Sequence, residues 1–85
     1  MIELRHLKTL VALRDTGSLV EAADSLFLTQ SALSHQLKDL EDRLECTLFV
    51  RKTRPPRFTS AGRRILNLAD EVLPMFKGAE RDISR

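Results

Sequence analysis

The chain has no tryptophan and no tyrosine, and its four phenylalanines are all its aromatic residues. A platform that stacks the bases of single-stranded nucleic acid needs exposed rings, so this class of binder is disfavoured. A lone cysteine, Cys46, excludes an internal disulfide and a cysteine-rich zinc site. It is expected to be an inert free thiol in a reducing compartment. No apolar run approaches the ~20 residues of a membrane span. The opening MIELRHLKTL is a charged amphipathic segment rather than a signal peptide. There is no glycine-rich phosphate loop and no cluster of metal ligands. His6 and His35 have no nucleophile at motif spacing. Enzymatic function, a metal and a cofactor are therefore not expected, and His6 is read as a helix-surface or interface residue.

What is present describes one globular domain. The 85 residues are 42% hydrophobic and 31% charged, enough for a modest core. The net charge of +2 conceals an uneven distribution. Residues 49–64 hold six basic side chains (Arg51, Lys52, Arg54, Arg57, Arg63, Arg64) and no acid. Such a run, interleaved with β-formers and prolines, is the footprint of a surface that meets a phosphate backbone.

Periodicity predicts a helix over 3–16 with Leu4, Leu7, Leu10 and Val11 on its core face. Gly17 is placed to end it in a left-handed cap. Ser18 and Glu21 form a capping box that starts a second helix, near 19–26. Ala22 and Ala23 let another helix cross closely, and Leu26, Phe27 and Leu28 are expected to fill the corner. Thr29 caps a third helix near 30–44. On that helix Leu33, Leu37, Leu40 and Leu44 fall on one face, within roughly 60° of arc. Gln30, Ser31, Ser34, His35 and Lys38 share the polar face; Glu41 and Asp42 follow on it and would repel phosphate. Only the N-terminal half therefore suits DNA, as in a helix-turn-helix, whose second helix enters the major groove.

The period then changes. Leu48–Val50 and Arg57–Phe58 read as two short strands. Between them Pro55 and Pro56 stiffen a hairpin tip that carries arginines. The fold class is thus mainly α: a winged helix-turn-helix of three helices and a two-stranded wing over 1–59, then one long helix over 60–85. Thr59 or Ser60 caps that helix. Ile65, Ala69, Val72, Phe76, Ala79 and Ile83 step along it as a heptad seam, widened by Leu66 and Leu73 and by Leu68 and Met75. One stripe should face the core and the other a second copy, giving a two-fold dimer. Pro74 removes a backbone bond to Asp70, so a bend is expected there. The candidate DNA contacts are Ser18, Thr29, Gln30, Ser31, Ser34, His35, Lys38, Arg51, Arg54 and Arg57. The candidate dimer contacts are Ile65, Ala69, Val72, Phe76 and Ala79.

The ordered series Leu4-Arg5-His6-Leu7, Gly17-Ser18-Leu19, Ala22-Ala23, Gln30-Ser31-Ala32-Leu33-Ser34, Leu40-Glu41, Leu48-Phe49, Arg51, Thr59 and Gly62 resembles the N-terminal domain of LysR-type transcriptional regulators. The resemblance covers essentially the whole chain. It implies sequence-specific binding of duplex DNA with an interrupted inverted repeat, and a linker helix that pairs two subunits, with tetramers at full length. It further implies a bacterial cytoplasmic, nucleoid-associated protein and a C-terminal effector domain absent from this chain. Thr29–Gln36, Leu48–Lys52 and Val72–Pro74 look most like the branch of the family that controls methionine biosynthesis, for which homocysteine would be the effector. Two positions depart from the family pattern. His35 stands where many members carry Arg. Glu45 stands where Gly is usual, so helix three is expected to end differently if positive φ is needed there. Residues alone leave one alternative: a winged-helix, coiled-coil adaptor for other proteins that does not bind DNA.

Overall fold

The structure, a computed structural model, describes residues 1–84. Four helices and one hairpin follow in the order α1 (Leu4–Thr16), α2 (Leu19–Ser25), α3 (Gln30–Leu44), β1 (Phe49–Val50), β2 (Arg57–Phe58) and α4 (Ser60–Ile83). Helix α1 is central and touches α2, α3 and α4. Its Leu10 and Leu13 meet Ala22 and Ala23 of α2, Leu33, Leu37 and Leu40 of α3, and Leu66 of α4 in one buried cluster. Leu48 and Phe49 extend that cluster under the wing. The small side chains of α2 bring α2 and α3 close enough to share the core.

Caps fix the helix starts. Ser18 Oγ accepts the Glu21 N–H at 3.0 Å, Thr29 Oγ1 accepts the Ala32 N–H at 3.0 Å, and Thr59 Oγ1 accepts the Gly62 N–H at 3.0 Å. Thr59 also donates to the Thr47 carbonyl at 2.7 Å, so one hydroxyl starts α4 and ties it to the segment before β1. Gly62 lies so close to that segment that a Cβ would run into the Leu48 carbonyl oxygen.

The helix ends hold two surprises. Gly17 ends α1 at φ 83°, as expected. Glu45 also takes positive φ, 53°, and ends α3 with the Cys46 N–H on the Glu41 carbonyl and the Glu45 N–H on that of Asp42. The glutamate therefore accepts the conformation that glycine would adopt freely, and the helix does not end differently. Phe27 is the second. It does not fill the corner between α2 and α3: it sits at φ 57° and is 96% exposed. Leu26 and Leu28 pack on the core instead.

Helix α4 divides along its length. Gly62, Leu66 and Ala69 are buried, and Ile65 packs against the core. Ala69 is fully covered by its own chain, so it is not available to a partner. Beyond Leu73 the helix is exposed, with only Gly78 half-covered. It runs unbroken past Pro74. The outward stripe is thus shifted from the expected seam towards Leu68, Val72, Met75 and Ala79.

Candidate nucleic-acid interface

Thr29, in extended conformation, caps α3 through the Ala32 N–H, and the first turn of that helix opens at the surface. Gln30, Ser31, His35 and Lys38 are exposed there and Ser34 is half-buried. Their amide, hydroxyl, imidazole and ammonium groups offer donors and acceptors to base edges and phosphates. Lys38 Nζ meets Asp42 at 3.2 Å, but both side chains are largely exposed. Such a surface pair is weak and leaves the lysine free to exchange partners. Ser18 is half-buried, and its hydroxyl is committed to Glu21 on both sides: it accepts from the backbone and donates to Oε2 at 3.1 Å.

The wing is an antiparallel pair, Phe49 opposite Phe58 and Val50 opposite Arg57. Thr53 Oγ1 clips its loop by accepting the Arg57 N–H at 3.0 Å. Arg54 and Arg57 project to solvent. Together with Gln30, Arg51, Ser18 and Gly17, Arg54 lines one cleft of about 230 Å³ between the wing, the start of α2 and the start of α3. The fold thus brings the reading helix and the basic wing, some twenty residues apart in the chain, to one place.

Arg51 is held differently from its neighbours. Its Nη2 lies 2.7 Å from Glu41 Oε1, and its guanidinium carbon sits 4.4 Å above the Phe49 ring. Glu41 is only 8% exposed, and its Oε2 accepts the Leu48 N–H at 2.8 Å. It was expected on the polar face, where it would repel DNA. It turns under the wing instead and is neutralised there.

His6 is likewise no surface residue: it is fully buried. Its Nδ1 accepts the Glu3 N–H at 2.9 Å, which leaves the proton on Nε2 to be donated to Asp39 Oδ2 at 3.1 Å. The i, i+3 spacing of Glu3 and His6 is the capping-box spacing, a signal the sequence carried with an unusual residue. Burial acts to raise the Asp39 carboxyl, yet His6 and the Arg43 guanidinium hold it below its ordinary value. The start of α1 is thereby clamped to α3. Arg5, absent from the sequence candidates, borders an open cleft with Ser31, Ser34, His35 and Lys38. Among the described residues no metal-ligating cluster occurs and no helix is long and apolar enough to cross a membrane.

Residues 4–63 match the family described as bacterial regulatory helix-turn-helix protein, lysR family. The chain belongs to the LysR family. It is 56% identical over 84 residues to the HTH-type transcriptional regulator MetR of Haemophilus influenzae, covering 99% of this chain and 27% of that protein. It is 60% identical over 79 residues to MetR of Escherichia coli, covering 93% and 25%. The LysR-family chain thus spans about a quarter of the length of these relatives. Among solved structures it resembles a complex of the BenM DNA-binding domain with benA site 1 DNA, at TM-score 0.83, 34% identity and 98% coverage of both chains. A complex of the CbnR DNA-binding domain with DNA matches at TM-score 0.84 and 29% identity, covering 99% of this chain and all of that one.

Proposed function

We propose that this LysR-family chain binds duplex DNA sequence-specifically, as the reading module of a transcriptional regulator of methionine-biosynthesis genes. One observation carries the reading: Gln30, at the exposed start of α3, shares a cleft with the wing residue Arg54. Helix α3 would enter the major groove and the wing would meet the flanking backbone or minor groove, where arginine is favoured. The likeness to MetR supports the choice of genes. Homocysteine as the small-molecule effector of a C-terminal domain, and action in the bacterial cytoplasm at the nucleoid, complete the proposal.

The outward stripe of α4 supports a homodimer. Leu68 and Met75 are 41% and 71% exposed, Phe76 49% and Ile83 80%. A half-helix of this kind, uncovered by its own chain, is marginal in water until packed. A second α4 lying along it would hold two reading helices at fixed separation and require an inverted repeat.

Selection of bound duplexes from a random pool tests the reading. Enrichment of one interrupted inverted repeat is expected, with affinity that falls steeply as salt rises. Recovery of no common sequence, with binding independent of salt, would refute it and leave the adaptor alternative.

A further inference from the structure

Helix α1, the end of α2 and the outer half of α4 enclose a groove of about 550 Å³, a volume suited to a small molecule. No residue of α3 or the wing lines it, so it lies apart from the DNA-reading face. Val11, Ala12 and Leu26 form its floor and pack on the core below. Leu73 is half-buried in the α4 wall, and Phe76, 49% exposed, stands beside it. The two long walls run in opposite directions: Arg14 of α1 meets Asp70 of α4 towards one end, and Leu4 and Glu80 line the other.

Two lysines also line this groove, Lys8 from α1 and Lys77 from α4. Outside residues 49–64 the described lysines and arginines that meet no acid are Lys8, Lys77 and Arg81, and two of these three are here. Their charge serves neither the fold nor the DNA side. Of the acids in the groove, Asp15 is taken by Arg14 Nε at 2.9 Å. Glu80 is exposed and pairs with neither lysine among the described residues. The two lysines against Glu80 leave one positive charge above an apolar floor. A carboxylate matches that excess; a phosphate ester, with its second charge, does not.

We propose that this groove binds a small amphipathic carboxylic acid as its anion, with the carboxylate held by the Lys8 and Lys77 ammonium groups and the hydrocarbon chain laid over Val11, Ala12, Leu26 and Leu73. The chain takes apolar surface out of water, and Phe76 adds an aromatic wall. An apolar floor with a few convergent polar groups is the usual composition of a small-molecule site. The proposal stands independently of DNA reading but bears on it. A molecule that bridges α1 and the outer half of α4 would fix the direction in which α4 leaves the domain. In a dimer paired through α4, that direction sets the separation of the two reading helices.

Titration of the isotope-labelled chain with sodium decanoate, followed by amide NMR shifts, tests the site. Saturable shifts are expected at Val11, Ala12, Leu26 and Leu73. Decyltrimethylammonium, which carries the same chain on a cation, should bind about tenfold more weakly or worse. Lys8→Gln with Lys77→Gln should weaken decanoate about tenfold or more, as for lost charge-assisted hydrogen bonds. Melting temperature and duplex affinity should not change in that variant, because neither lysine has a partner in the fold. No saturable shift in the wild type overturns the proposal. Equal binding of the two amphiphiles, or of decanoate by wild type and lysine variant, would reduce the groove to an unselective apolar surface and also overturn it. Binding by a Leu68→Glu, Met75→Glu variant but not by the wild type would show that a second copy covers the groove, which overturns it too. A loss of duplex affinity equal to the loss of decanoate binding would place the lysines on DNA, with the same consequence.

Discussion

Glu41 and Arg51 form an ion pair of 2.7 Å between the reading helix and the wing. The other Glu41 oxygen holds the Leu48 N–H, so one nearly buried carboxylate fixes the angle at which the hairpin leaves α3. The two losses should differ. Arg51→Ala leaves the Glu41 charge unpaired beneath the wing and should destabilise the chain by about 3 kcal/mol. Glu41→Gln keeps an acceptor for Leu48 and frees an arginine that is already 41% exposed, so roughly 1 kcal/mol is expected. Urea unfolding measures both. An Arg51→Ala variant of wild-type stability with weaker DNA binding would make Arg51 a phosphate contact instead of a brace.

Gln30 and Arg54 line the same cleft but should fail in different ways. The Gln30 amide suits bidentate pairing with adenine in the major groove. Gln30→Ala should cost about 1–3 kcal/mol on the preferred site and relax selection at one base pair. Arg54→Ala should weaken specific and random duplexes alike and reduce the salt slope by about 0.9 if it neutralises one phosphate. Fluorescence anisotropy at several salt concentrations separates the two patterns. A uniform loss for Gln30→Ala would assign it to the backbone.

Arg14 of α1 donates to Asp70 of α4 at 2.9 Å. That hydrogen bond holds the Asp70 carboxyl below its ordinary value near 3.8. A carboxylate with a depressed folded-state pKa adds stability above its unfolded value and loses it as pH falls through the folded value. The tether should therefore be intact at neutral pH and should weaken below about pH 4. Asp70→Asn should lower the melting temperature slightly at pH 7 and less, or not at all, at pH 3. An equal difference at the two pH values would mean that the ion pair contributes nothing, as many exposed pairs do.

Much of this molecule was legible because local chemistry and the tertiary fold agree in it. Ser18, Thr29 and Thr59 announce helix starts, and the leucine face of α3 is the face that is buried. What was hidden depended on long-range packing. The seam on α4 could not be divided by periodicity, because Ile65, Ala69, Val72 and Phe76 share one heptad pattern while only the first two lie over the core. Glu41 looked like a solvated acid because its partner Arg51 is ten residues away, across a change of element. His6 is an ionisable residue with zero exposure, an outcome that burial statistics oppose and two hydrogen bonds permit. Hydrophobicity alone places Phe27 inward. The left-handed turn that aims it outward follows from the cap of α2, which glycine would have signalled and phenylalanine did not.

Gly62 should tolerate no side chain. It is helical, so alanine would ordinarily improve the helix by about 1 kcal/mol. Here a Cβ meets the backbone oxygen of Leu48, which cannot rotate away as a side chain could. Gly62→Ala should instead destabilise the chain by about 2 kcal/mol or more, since overpacking forces backbone movement. Thermal unfolding gives the sign directly, and a stabilised variant would show that the junction between α4 and the wing yields easily.

The outward stripe of α4 gives the sharpest test of assembly. Leu68 and Met75 lie one heptad apart, both are exposed, and neither belongs to the core cluster. Phe76 is a poorer probe, because it also lines a groove with Leu4, Val11 and Leu26 of its own chain. Leu68→Glu with Met75→Glu would put four like charges into a two-fold contact and almost no strain into the monomer. Sedimentation equilibrium should then show monomers where the wild type shows dimers. Binding to a full inverted repeat should fall to that of a half-site, while half-site affinity stays unchanged. That last comparison separates assembly from folding, since a misfolded variant would lose both. A wild type that is monomeric at micromolar concentration, with a double variant that binds the full repeat equally well, would mean that α4 is left uncovered in solution and that the inverted repeat is read without pairing through it.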